Sequence, residues 1–158
     1  MTVFKMQDPD TTILRKALSL LARREHSTME LSRKLAARGI EETLIPPVID
    51  RLHRDNLLSD ARFAEDFVRQ RMANGYGPLR IRQELHQRGI DEDTIMQNLP
   101  REEEDWIDSV ATVRHKRFGT STPKDQRDRA RQIRFLMYRG FTSEHIRKVL
   151  DRINHDQQ

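Results

Sequence analysis

The chain has 158 residues, 34% charged and 35% apolar, with few aromatics, a net charge of +4 and a pI near 9.7. It has no cysteine, which excludes disulfides, zinc–thiolate sites and thiol chemistry. No apolar run approaches a membrane span and the opening MTVFKMQDPD lacks a leader-like apolar stretch, so the expectation is a soluble cytoplasmic protein.

Arg, Gln, Glu and Asp on a Leu/Ala/Ile frame form a helix-favouring mixture, and no segment alternates at period two for long. The expected class is all-α. Residues 1–10 read as an N-terminal tail. TTILRKALSLLARRE is the first helix and STMELSRKLAARG the second, with Ser27 as N-cap and Glu30 three residues on, a capping box. A third helix runs from about Thr43 to Arg54. Pro46 and Pro47 fit only in its first turn, which predicts a late start or a bend.

SDARFAEDFVRQRMANG opens with Ser59 or Asp60 as cap and gathers Phe63, Phe67 and Val68 on one face. GPLRIRQELHQRG has Pro78 just inside its start, a stripe of Leu79, Ile81 and Leu85, and Gly89 after its last turn. DEDTIMQNL carries acids at its N-terminus, where the helix dipole favours them. WIDSVATVRHKRFG follows from Trp106. A looser TSTP linker leads to a longer helix in PKDQRDRARQIRFLMYRG, and SEHIRKVLDRI closes the chain.

The sequence repeats itself. Gly39, Gly89 and Gly140, half of the six glycines, each follow an arginine and precede an apolar residue, at offsets of 50 and 51. In that register Leu35, Leu85 and Leu136 coincide, as do Ile40, Ile90 and Phe141, then Ile45, Ile95 and Ile146, then Ile49, Leu99 and Leu150. The glycine reads as the left-handed residue after a helix and the next residue as a core plug. The predicted architecture is an elongated array of three tandem three-helix repeats, 11–58, 59–105 and 106–158. A unit of about fifty residues is marginal alone. The short junctions LLSD and REEED point to semi-rigid stacking.

Of the 29 basic residues 23 are arginine, the side chain suited to phosphate, carboxylate and base faces. Residues 11–58 carry nine basic and six acidic residues, 59–105 seven and eleven, and 106–158 twelve and six, so the net charges are +3, −4 and +6. Tyr76, between two glycines, either stacks on a base or a partner, or folds onto its own core. Arg80, Glu84 and Arg88 share one helical face, with Arg82 on the other flank. Arg127, Arg131 and Arg134 form a basic stripe opposite Ile133, Leu136 and Met137. Tyr76 and the arginines Arg69, Arg71, Arg80, Arg82, Arg127, Arg131 and Arg134 are the candidate contacts to a partner or DNA; the alternative is a solvated face.

Catalysis finds no residues. The six histidines never fall in metal-ligand spacing, and Asp151 with His155 reads as a charged C-terminal turn. Without a Gly-rich phosphate loop or nucleophile elbow, the expectation is no enzyme, no cofactor and no metal.

LLSDARFAEDFVRQRMANGYGPLRIRQELHQRGI, HSTMELSRKLAARGI and IRFLMYRGF closely resemble the signature of the RecX family, regulators of the bacterial recombinase RecA. The resemblance runs from about Ile13 to Ile153. Asp60, Phe63, Ala64, Gly77, Arg80, Ile81, Leu85 and Gly89 stand where the family pattern has them, and LLSD departs from a usual acidic pair. It implies tandem three-helix repeats and a non-enzymatic monomer that binds the groove of the RecA–single-stranded DNA filament. There it restrains ATP hydrolysis, strand exchange and co-protease activity, with roles in recombination, DNA repair and the SOS response. The partners implied are the RecA filament, single-stranded DNA directly or through the filament, and duplex DNA weakly, with no membrane. A trihelical helix-turn-helix-type DNA-binding protein is the alternative, and a helical scaffold with no nucleic-acid role a third reading. Unequal unit charges argue against the helix-turn-helix type, because repeated readers should each be basic.

One consequence needs only the repeat. Leu85→Ala truncates a core column and should lower stability by about 2–5 kcal/mol in a denaturant titration. A loss within experimental error would remove Leu85 from the core.

Overall fold

The computed structural model describes residues 9–158; the expected tail falls largely on residues 1–8, outside the described residues. Nine α-helices form and no strand occurs among the described residues. The first triplet is α1 (Pro9–Leu21), α2 (Thr28–Ala37) and α3 (Ile45–Arg54). The second is α4 (Asp60–Ala73), α5 (Pro78–Gln87) and α6 (Glu92–Asn98). The third is α7 (Glu103–Phe118), α8 (Gln126–Tyr138) and α9 (Ser143–Asp156).

Helix starts follow the capping chemistry. The hydroxyls of Ser27, Ser59 and Thr142, and the carboxylates of Asp91 and Asp125, each accept from an N–H of the first turn. The two prolines do delay α3, which begins at Ile45 behind a 3-10 turn over Glu42–Leu44. The capping box at Ser27 is only half made: Ser27 caps Glu30 N, while the Glu30 carboxylate turns to Arg24 at 2.8 Å and Arg88 at 3.5 Å. α7 starts at Glu103, before Trp106, because the first-turn acids face α9. Lys148 pairs with Glu103, and Arg152 with Glu104 at 2.7 Å.

The glycine column is real. Gly39, Gly89 and Gly140 take φ of +84°, +78° and +98°. Leu35, Leu85, Leu136, Ile45, Ile95, Ile146 and Phe141 are buried, while Ile40 and Leu99 are half-buried. Two expected core positions are not core. Leu79 is 55% and Met137 52% exposed. Leu79 lies two residues from Ile81 and Met137 one from Leu136, offsets that point to different sides of a helix.

The apolar residues form two cores, not three. One holds the first triplet alone; the other runs continuously from Phe63 to Leu150 through the second and third. The α7–α8 connector is fixed as well, by an arginine. Arg114 is 2% exposed and donates to Gln132 Oε1 at 2.9 Å, Gly119 O at 3.2 Å and Ser121 O at 2.6 Å. The guanidinium is satisfied by neutral acceptors, and burial lowers its pKa from the ordinary value.

The second and third triplets meet backbone to backbone. Gly77 N donates to Arg139 O at 2.8 Å and Leu79 N to Gly140 O at 3.0 Å. A Cβ on Gly77 would lie 2.5 Å from Gly140 C, Gly140 O and Phe141 N. The first junction is made by side chains. Asp60 accepts from Thr28 N at 2.7 Å, Arg62 donates to Glu25 at 2.9 Å, and Arg88 reaches Glu30.

Gly77→Ala should therefore cost about 3 kcal/mol, since rigid backbone blocks the added methyl. The comparison is Gly39→Ala, whose Cβ meets nothing within 4 Å and pays only for its positive φ. Equal losses in chemical denaturation would show that the backbone contact between triplets is not tight.

Candidate functional site

The cations and rings at the second junction organise into one surface. Tyr76, in the α4–α5 turn, packs partly buried on the shared core. Three guanidinium groups surround its ring: Arg71 at 4.0 Å, Arg80 at 4.4 Å and Arg139 at 5.0 Å. From there the alternation continues both ways. Arg71 lies 5.8 Å and Arg88 4.7 Å from Phe67. Arg139 lies 5.4 Å and Arg117 5.7 Å from Phe135, and Arg117 and Arg131 flank Phe118 at 5.9 and 5.2 Å. Phe118 and Phe135 meet edge to face with centroids 5.4 Å apart. The result is a ladder of arginines and aromatic rings from Arg88 to Arg131, crossing from one triplet to the next. Each rung gains from cation–ring attraction, by about 0.5–1 kcal/mol where exposed.

One carboxylate holds the centre. Glu84 accepts from Arg71 through both oxygens, at 2.7 and 2.5 Å, and from Arg80 Nε at 3.1 Å. Desolvation works to raise its pKa, but the hydrogen bonds from Arg71 and then Arg80 outweigh it, and the carboxyl titrates below its usual 4.5. Beside it, Tyr138 is 78% exposed and stands 5.5 Å from Arg80, leaving a large ring open to solvent.

The predicted contacts divide. Arg71, Tyr76, Arg80 and Arg131 are brought together on the ladder. Arg131 also pairs with Asp128 at 3.0 Å. Arg69 is off it, exposed and paired with Asp66 one turn back. Arg82 is likewise engaged on its own flank, with Glu92 at 2.8 Å. Arg127 and Arg134 are exposed on α8 and make no ion pair among the described residues.

Sequence reasoning missed Arg88, Arg117 and Arg139, together with the rings they face. A signal existed for two of them, because Arg88 and Arg139 are the arginines of the repeated Arg-Gly ending. Each reaches back to the preceding triplet: Arg88 to Glu30, and Arg139 Nη1 to Asn74 O at 3.1 Å. The first copy, Arg38, makes no ion pair among the described residues. No group of histidines and acids among the described residues is placed to hold a metal, and no helix there is long and apolar enough to cross a membrane.

Comparison with known proteins agrees with the triplets. Domain profiles described as RecX first, second and third three-helix domains match residues 14–52, 59–99 and 103–150. The "Regulatory protein RecX" of Pseudomonas entomophila (strain L48) is 48% identical over 143 residues, 90% of this chain and 92% of that protein. That of Halorhodospira halophila (strain DSM 244 / SL1) is 44% identical over 142 residues, 90% of this chain and 88% of its own. A crystal structure of RecX from Lactobacillus salivarius superimposes with a TM-score of 0.81 at 22% identity, over 94% of this chain and 99% of that one. At that identity the likeness speaks for the fold.

Glu84 offers a test with a defined sign. A carboxylate whose folded pKa lies below its unfolded value stabilises the fold above that unfolded value, and loses the contribution as pH falls through the folded one. Glu84→Gln should be less stable than the parent by about 1–3 kcal/mol at pH 7. The gap should close as pH drops from 4.5 through the lowered value, when urea midpoints are compared across pH. A gap independent of pH would mean that the arginine pairs are not its source.

Proposed function

The chain belongs to the RecX family, and from that premise we propose that it regulates the RecA recombinase by lying in the groove of the RecA–single-stranded DNA filament. Bound there, it restrains ATP hydrolysis, strand exchange and co-protease activity, acting as a cytoplasmic monomer without chemistry of its own. The observation that carries this reading is the arginine–ring ladder across the second junction. A groove in a nucleoprotein filament offers phosphates and protein carboxylates together. Guanidinium groups pair with both, and their planes stack on bases. Arg71, Tyr76, Arg80 and Arg131 act from the ladder; Arg69, Arg82, Arg127 and Arg134 act as flanking contacts.

The duplex-reading alternative asks for a basic helix in each triplet. In the middle triplet the third helix, α6, carries Glu92 and Asp93 and no cation, and the second, α5, has Arg80 paired with Glu84 and Arg82 with Glu92. This favours recognition of a composite filament surface over groove reading in bare duplex.

The test is inhibition of the single-stranded-DNA-dependent ATPase of RecA. Arg127→Gln/Arg131→Gln/Arg134→Gln, changed only on an exposed helix face, should keep the circular dichroism of the parent. The concentration for half-inhibition should rise about tenfold, the scale of losing two or three phosphate contacts. Unchanged inhibition would make that stripe a solvated face. Tight binding of bare duplex by the parent, with no effect on the filament, would refute the regulator reading itself.

A further inference from the structure

A cleft opens on the ladder between the C-terminal end of α4 and adjoining faces of α7 and α8. Its volume is about 460 Å³, within the range of small-ligand sites. The floor is apolar, made by Met72, Val113 and Phe135, each packed on the shared core. The rim carries Lys116, Arg117 and Arg139. None of the three has a carboxylate partner among the described residues. Arg139 donates to Asn74 O at 3.1 Å, Arg117 faces only the Phe118 and Phe135 rings, and Lys116 is exposed. One carboxylate, Asp108, also lines the cleft, which leaves a net excess of two positive charges.

We propose that this cleft receives one unstacked base of single-stranded DNA, with the flanking phosphates held by Lys116, Arg117 and Arg139. The inference rests on the regulator reading for why a single strand lies against this face. The chemistry selects the ligand. An apolar floor ending in an aromatic ring suits a flat, weakly hydrated group. The guanidinium groups of Arg117 and Arg139, 5.7 and 5.4 Å from that ring, add planar stacking surface and positive charge. Unpaired cations at the rim call for anions beside the flat group, and a nucleotide in a chain has a phosphate on either side. A duplex yields a base to a cleft only at the cost of unpairing and unstacking it, and a single strand escapes most of that cost.

The experiment uses the full chain and two fluorescent oligonucleotides of equal length, oligo-dT and its abasic counterpart, in anisotropy titrations at fixed salt. Oligo-dT should bind about tenfold tighter than the abasic strand, the scale of one stacked base. Thr112 lines the cleft on the exposed face of α7, so Thr112→Trp fills the cleft without entering the core. It should lower oligo-dT affinity to the abasic level and leave abasic binding as it was. Lys116→Gln should weaken both strands alike and flatten the salt dependence.

Equal binding of the two strands by the parent overturns the proposal, as does Thr112→Trp binding oligo-dT like the parent. Thymidine monophosphate binding as tightly as oligo-dT would assign the cleft to a free nucleotide, also against the proposal. Loss of filament ATPase inhibition in Thr112→Trp with strand binding intact would assign it to a protein contact instead. Failure of the parent to inhibit the filament ATPase speaks against the regulator reading alone, because the oligonucleotide titrations contain no RecA.

Discussion

The second and third triplets are joined backbone to backbone. The first turn of a helix has N–H groups without partners, and the last turn has carbonyls without partners. At the second junction these needs cancel: Gly77 N and Leu79 N, at the start of α5, donate to Arg139 O and Gly140 O, at the end of α8. The positive end of one helix dipole meets the negative end of another. Such closeness requires the absence of a side chain on Gly77. Much follows from it. The apolar cores of two triplets merge into one, Arg139 is carried across to Tyr76, and α4 and α7 are brought near enough to enclose a cleft.

The first junction shows what happens without that glycine. In the fifty-residue register Ser27 stands where Gly77 stands. Serine brings a better N-cap and a Cβ, and the backbones no longer bond directly. Side chains bridge instead: Asp60 to Thr28 N, Arg62 to Glu25, and Arg88 to Glu30, with Met29 set against Gly89. The core of the first triplet stays separate. One repeated geometry thus serves as a rigid weld at one junction and as a polar coupling at the other. Exposed ion pairs each contribute little. The first triplet is consequently held to the rest by weaker bonds than those between the second and third.

What the sequence disclosed and what it concealed divide along the same line. Columns of Leu, Ile and Gly at fixed offsets, serine caps and the delayed start at two prolines are local or periodic, and they were readable. The meaning of the arginine before each repeated glycine was not, because its partner belongs to another triplet and differs each time. Glu30 answers Arg88. The matching position opposite Arg139 is Arg80, a like charge, so Arg139 turns to a carbonyl and a ring instead. Phe118 and Phe135 gave no periodic signal as a pair, since they come from different helices. Leu79 and Met137 were misplaced for a simpler reason: apolar character was read without the angular step that separates neighbours on a helix.

Unit charges were the least informative quantity of all. The middle triplet sums to −4, yet its acids are largely engaged: Glu84 by Arg71 and Arg80, and Glu92 by Arg82 and His86. The acids before Trp106 turn to α9, where Glu103 meets Lys148 and Glu104 meets Arg152. What an approaching anion meets is the set of cations left without a carboxylate. In the third triplet that set includes Lys116, Arg117, Arg127, Arg134 and Arg139, and two of these face aromatic rings. Pairing therefore decides where positive charge remains available, and the rings decide which part of it is planar and partly desolvated. A surface selected in this way suits a ligand that carries phosphates and flat bases together better than one that carries charge alone.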